Sequence, residues 1–167
     1  MATVTLKSNE FRTNGQLPAV GASAPDFKLV DTDLGDRSLA DYQGKKKLIS
    51  IVPSLDTHVC AISTKKFNDF ANERDDVVFL VVSADLPFAQ GRFCKNEKTK
   101  SVATLSMMRS RNFAKDYGVL LQDGPLAGVT ARAVVVVDEN NKVVHAQLVE
   151  EIADEPDYEA ALSALNG

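Results

Sequence analysis

Three runs of apolar residues, Leu48–Val52, Val77–Val82 and Ala133–Val137, constrain what this chain can fold into. Each is short, rich in branched side chains and almost free of polar alternation. A strand with one wet face alternates polar and apolar residues, so a run that does not alternate is covered on both faces. Helices in the intervening segments supply that cover. Between the first two runs, residues 58–74 carry Val59, Ile62, Phe67, Phe70 and Ala71 roughly on one helical face, with Lys66 interrupting the pattern. A second helix is expected to open near Asp85-Leu86-Pro87, where Asp can cap and Pro suits the first turn. After the third run, Asp138-Glu139-Asn140-Asn141 reads as a turn and Lys142–Val149 as an antiparallel partner strand. The chain ends with Glu155-Pro156-Asp157 and an amphipathic helix through Tyr158, Ala161, Leu162 and Leu165. At the other end, Val4, Leu6 and Phe11 around Ser8-Asn9 read as a short β-hairpin. The expected class is α/β: a central mixed β-sheet flanked by helices, with an added N-terminal β-hairpin.

A chain of 167 residues with no internal repeat and no Pro-, Gly- or Ser-rich linker is expected to form one domain, residues 1–167. Its 44% hydrophobic and 25% charged residues are an ordinary globular balance, which excludes wholesale disorder. A net charge of −4 argues against general nucleic-acid binding. The basic run Lys45-Lys46-Lys47 reads as a solvated loop flanking the first core strand. No stretch has the roughly 18 apolar residues of a membrane span, and the segment MATVTLKSNEF lacks an apolar signal core. A cytoplasmic location is therefore expected, where the two cysteines would stay reduced rather than form a permanent staple.

Cys60 lies just beyond the first core strand, at the start of the expected helix. If Asp56 or Thr57 is the N-cap, Cys60 falls in the first turn, where backbone N–H groups lack partners and the helix dipole favours negative charge. That location favours a thiolate, which is the nucleophilic form of cysteine. Pro53 ends the strand and fixes the backbone there. The Thr57 hydroxyl can cap the helix or donate to a bound anion. Against this, a free cysteine often serves as a small buried hydrophobe, and position alone does not decide between the two.

The segment Pro53-Ser54-Leu55-Asp56-Thr57-His58-Val59-Cys60 resembles the active-site signature of the peroxiredoxins: a proline, a threonine four residues later, and the attacking cysteine three after that. Ser83-Ala84-Asp85-Leu86-Pro87-Phe88-Ala89-Gln90 followed by Arg92-Phe93-Cys94 resembles the second-cysteine segment of one branch, the bacterial thiol peroxidases, or atypical two-cysteine peroxiredoxins. Gly124-Pro125-Leu126-Ala127-Gly128, Ala131-Arg132-Ala133-Val134 and Gln147-Leu148-Val149-Glu150-Glu151-Ile152 resemble the same branch, so the likeness runs from about Val4 to Leu165.

The resemblance implies a thioredoxin-like fold. It implies that Cys60 is the peroxidatic cysteine and Cys94 the resolving one, with Thr57, Arg132 and Pro53 completing the site. Spacing alone would not separate Arg132 from the other arginines; unaided, it reads as a surface ion-pair residue. The implied chemistry is attack of a thiolate on an O–O bond, giving a sulfenic acid on Cys60 that Cys94 captures as a disulfide. The implied reductant is thioredoxin, the implied assembly a homodimer, and no cofactor or metal is called for. A disulfide needs Cα atoms within about 7 Å, and Gly91 weakens the helix bearing Cys94, so that helix is expected to fray on oxidation. His58 and His145 read as ordinary surface or strand residues. Two other readings stand beside this one. A thiol–disulfide oxidoreductase normally has cysteines two residues apart, whereas Ser63 stands three after Cys60. A non-enzymatic binding domain would hold both thiols inert.

Overall fold

Leu48, Ile49, Ile51, Leu80, Val82, Val135 and Val136 have no exposed surface, so the three apolar runs are indeed covered on both faces. The computed structural model describes residues 1–166. The runs form β5 (Lys46–Ile51), β6 (Val77–Ser83) and β8 (Ala133–Val137). Their side chains alternate between two cores. Ile49, Ile51, Leu80, Val82, Ala133 and Val135 face one cluster, while Leu48, Phe79, Val81, Val134 and Val136 face the other.

The sheet has seven strands in the order β4 (Asp36–Arg37), β3 (Leu29–Val30), β7 (Ala103–Ser106), β6, β5, β8 and β9 (Val143–Leu148). β5, β6 and β7 (Ala103–Ser106) run parallel, and β8 returns antiparallel to β5. Between the parallel strands lie α1 (His58–Ala71) and α2 (Pro87–Glu97). Both crossovers step toward the same sheet edge, so their shared right hand puts both helices on one face. Phe67 of α1 and Phe93 of α2 accordingly pack in one cluster with α4 (Tyr158–Asn166). Asp157 Oδ1 caps α4 by accepting from the Ala160 amide at 3.0 Å. The expected mixed α/β sheet and the N-terminal hairpin, β1 (Thr3–Leu6) and β2 (Asn9–Arg12), are both present.

Several elements depart from the sequence reading. β7, the edge pair β3 (Leu29–Val30) and β4 (Asp36–Arg37), and the short α3 (Asn112–Asp116) have no strong periodicity to announce them. The three strands form because neighbouring backbone offers partners. The buried stripe of α1 runs through Cys60, Ser63, Thr64, Phe67 and Asn68, one step round from the expected face. Polar residues disguise it: Ser63 donates to the Cys60 carbonyl at 3.1 Å, and Asn68 accepts from Ser101 and Val102 amides. Lys46 and Lys47 lie inside β5 rather than in a loop, and Lys47 is wholly buried with Nζ 2.6 Å from Asn141 Oδ1. Asp85 does not cap α2. Leu86 is the N-cap, and the Asp85 carboxylate is bonded elsewhere.

Candidate active site

β5 stops at Ile51, and Pro53 is buried immediately beyond it. The loop that follows is fastened from several sides. The Val52 amide donates to the Val82 carbonyl, and the Val52 carbonyl accepts from Thr130 Oγ1 at 3.1 Å. Ser54 Oγ and the Leu55 amide both donate to Asp85 at 2.7 Å. The chain then enters α1 with Thr57 as N-cap in extended geometry. The Thr57 hydroxyl does not cap the helix; it donates to the Ser54 carbonyl at 2.9 Å.

Cys60 is the third residue of α1 and wholly buried. Its Sγ lies 3.1 Å from Nη1 of Arg132. Arg132 immediately precedes β8 and is itself only 2% exposed, so the surface ion-pair reading of this residue is excluded. Among the described residues no carboxylate lies within ion-pair distance of it. Its Nε donates instead to the Ile152 carbonyl at 3.0 Å. A cation beside sulfur stabilises negative charge there, the more so where water is excluded.

The Ile152 carbonyl is held by the N-terminal hairpin. The Ile152 amide donates to the Thr5 carbonyl, and the Glu151 carboxylate accepts from the Ala153 and Lys7 amides and the Thr5 hydroxyl. Those amide and hydroxyl donors hold the Glu151 carboxyl below its ordinary range. The hairpin thus orients the arginine without touching sulfur. Sequence reasoning singled out the Gln147–Ile152 segment by likeness but not this task for it; a backbone acceptor leaves no mark in residue type. Gly124 and Gly128 adopt left-handed backbone, φ 75° and 98°, in the turn ahead of Arg132. A Cβ on Gly124 would stand 2.2 Å from the Phe11 ring, so only glycine lets the hairpin close on that turn.

Cys94 is not beside Cys60. It sits in the last turn of α2, half-buried, with Sγ 4.0 Å from Thr104 Oγ1 of β7. Both thiols are free. Thr104 lies in β7 and Arg132 immediately ahead of β8, and those strands are three spacings apart in the sheet, which is about 14 Å at about 4.8 Å each. A bond between these sulfurs requires backbone movement. Two features weaken α2: Gly91 lies mid-helix, and the helix ends on Lys98 with φ 57°, a left-handed conformation unfavourable to lysine. His58 is exposed and His145 lies in β9. Among the described residues no group of three His, Cys, Asp or Glu side chains could hold a metal ion, and no helix is long and apolar enough to cross a membrane.

The chain is similar to known proteins over nearly its whole length. The redoxin family model matches residues 19–162. A thiol peroxidase from Corynebacterium glutamicum is 49% identical over 166 residues, covering 99% of this chain and 100% of that protein. The crystal structure of a peroxiredoxin-like protein from Aquifex aeolicus superposes with a TM-score of 0.93 at 40% identity, covering 99% of this chain and 96% of that one. A thiol peroxidase from Chromobacterium violaceum gives 0.91 at 27% identity, over 98% and 95%. The chain belongs to the redoxin family, in the thiol peroxidase branch of the peroxiredoxins, and has their thioredoxin-like fold.

Proposed function

We propose that this protein is a thiol peroxidase that reduces hydrogen peroxide and organic hydroperoxides through Cys60 and Cys94, drawing electrons from thioredoxin. The observation that carries the reading is the Arg132 guanidinium 3.1 Å from a buried cysteine sulfur in the first turn of a helix. Guanidinium and helix N-terminus both favour negative charge on that sulfur. In the first step the Cys60 thiolate attacks one peroxide oxygen as the O–O bond breaks. Sulfur is oxidised to sulfenic acid, and the departing alkoxide takes a proton to leave as alcohol, or as water from hydrogen peroxide. Charge passes from sulfur to the leaving oxygen, and fixed donors beside that path stabilise it without reorganising. Arg132 supplies such donors, and the Thr57 hydroxyl, which donates to the Ser54 carbonyl at rest, turns to donate to a substrate oxygen. Pro53 shields the sulfur from bulk water.

Cys60 is wholly buried, so a peroxide reaches sulfur only when the loop over residues 53–57 yields slightly. In the second step the Cys94 thiol condenses with the sulfenic acid, forming the Cys60–Cys94 disulfide and releasing water. The two thiols of reduced thioredoxin then exchange with that disulfide, becoming oxidised as Cys60 and Cys94 are restored. The cycle uses no metal or organic cofactor. By likeness to its family the enzyme works as a homodimer in a reducing cytoplasm, without nucleic-acid or membrane partners.

The test is mass spectrometry after one equivalent of peroxide. Loss of two hydrogens, with a peptide joining Cys60 to Cys94, is the expected result. Cys60→Ser abolishes turnover, and Cys94→Ser leaves a single round followed by stalling or over-oxidation. Thiols that ignore micromolar peroxide would make this a binding domain instead.

A further inference from the structure

The carboxylate of Asp85, just ahead of α2, accepts hydrogen bonds from the Cys60 loop and from Ser83 at the end of β6, and Ser83 in turn accepts one from α2. Ser54 Oγ donates to its Oδ1 at 2.7 Å, while the Leu55 amide and Ser83 Oγ donate to its Oδ2, each at 2.7 Å. The proton order along this chain of bonds is one-directional. Gln90 of α2 donates from Nε2 to Ser83 Oγ at 3.0 Å, leaving the Ser83 hydroxyl proton for Asp85. The Asp56 amide donates to Ser54 Oγ at 3.1 Å, which leaves the Ser54 proton for Asp85 as well. Every neighbour presents a donor, so the centre must be a pure acceptor, which an ionised carboxylate is and an amide is not.

The network reaches both thiols' supports. On one side the Ser54 carbonyl accepts from the amide and hydroxyl of Thr57, the N-cap of the helix that opens on Cys60. On the other, Gln90 is wholly buried one helical turn before Cys94. A cleft of about 530 Å³ lies between the loop and α2, bounded by Leu55, Asp56, Asp85, Phe88 and Arg92, and the Asp85 carboxylate ties the loop down at its edge.

We infer that Asp85 is a positioning residue: its carboxylate latches the Cys60 loop closed against Arg132, and its release lets Cys60 leave toward Cys94. The inference rests on the peroxidase reading above and adds to it the residue that sets the fate of the oxidised thiol. The sulfenic acid has two exits. Held beside Arg132, it meets a second peroxide and becomes sulfinic acid, the peroxide leaving as alcohol or water. Released from the loop, it condenses with the Cys94 thiol and loses water. The latch favours the first exit and its opening the second.

The experiment measures the ratio of Cys60 sulfinic acid to Cys60–Cys94 disulfide by mass spectrometry across a series of peroxide concentrations, for the full chain. Asp85→Asn sets an amide against a ring of donors, and the ratio is expected to fall about tenfold, the scale of one lost bond to a charged group. Ser54→Ala removes a single donor, folds more safely, and is expected to lower the ratio by a smaller factor. Ser106→Ala is the control. Its hydroxyl bonds only the Asp85 backbone carbonyl, at 2.5 Å, and the Met108 amide, so it should lower the melting temperature without moving the ratio. An unchanged or higher ratio in both latch variants overturns the inference, as does an equal fall in Ser106→Ala. Failure of the wild type to form the disulfide at all would overturn the functional reading instead.

Discussion

Arg132 Nη1 lies 3.1 Å from Cys60 Sγ across 72 residues of sequence, and it is held there because Nε of the same guanidinium donates to the Ile152 carbonyl at 3.0 Å. The planar fork faces two ways at once, one edge to backbone and one to sulfur. Each contact sets the angle of the other.

Lysine offers a point charge on a flexible stem and cannot hold both contacts in that geometry. Arg132→Lys is therefore expected to slow oxidation of Cys60 about a hundredfold, the usual scale for removing one fixed donor at a reacting centre. It is expected to cost about 1–3 kcal/mol of stability, since the buried Ile152 carbonyl loses its side-chain partner. Competition kinetics against a reference thiol reads the first effect and urea unfolding the second. Oxidation at the wild-type rate would remove Arg132 from the mechanism.

Gly91 adopts ordinary helical backbone, and a methyl group there would only reach van der Waals contact with Thr32 Cγ2 at 3.8 Å. Gly91→Ala should therefore stabilise α2 by up to about 1 kcal/mol. If Cys94 captures the sulfenic acid only after α2 frays, the same energy slows disulfide formation about fivefold and leaves the peroxide step unchanged. Stopped-flow traces separate the two phases. An unaffected second phase would mean that the loop, rather than α2, makes the whole movement.

Lys47 is buried among apolar strands, and burial lowers its pKa from the ordinary 10.5, opposed by the charges of Asp138 and Glu139. With the folded value below the unfolded one, the unfolded state binds more protons between them, so this group costs stability at neutral pH and recovers it as pH rises toward 10.5. Lys47→Met is then expected to lie within about 1 kcal/mol of wild type. Asn141→Gly, which suits the residue's φ of 61° but removes the acceptor, should cost about 1.5–3 kcal/mol. Denaturant midpoints of the two variants check the order.

The Tyr117 phenol is buried and donates to the Pro25 carbonyl at 2.8 Å. Burial, then the charges of Asp26 and Asp116, raises its pKa above the ordinary 10.0. Its contribution is complete below that value and drains away as pH climbs toward the folded one, because the unfolded chain ionises first. Stability should fall above pH 10.0 with a slope that includes about 1.4 kcal/mol per pH unit from this group. Tyr117→Phe should lower stability near pH 7 by about 1 kcal/mol and remove that share of the alkaline slope. Urea titrations at stepped pH give both numbers, and an unaltered slope would reject the assignment.

The amino-acid sequence by itself determined the strands, because Leu48–Val52, Val77–Val82 and Ala133–Val137 carry enough branched apolar surface to be core wherever they pair. It also marked Cys60, since Pro53, Thr57 and the cysteine stand in one local register that a strand-to-helix turn preserves. What only the tertiary structure decided was contact between distant segments. Whether Arg132 meets sulfur or solvent, whether Lys47 is wet or buried, and whether Asp85 caps its own helix or ties down the Cys60 loop all depend on which strands become neighbours. Short polar strands such as Ala103–Ser106 followed the same logic, drawing their structure from the backbone beside them. Local periodicity encodes what a residue does to its own segment. The partner across the sheet is chosen by packing of the whole chain, and no nearby spacing records it.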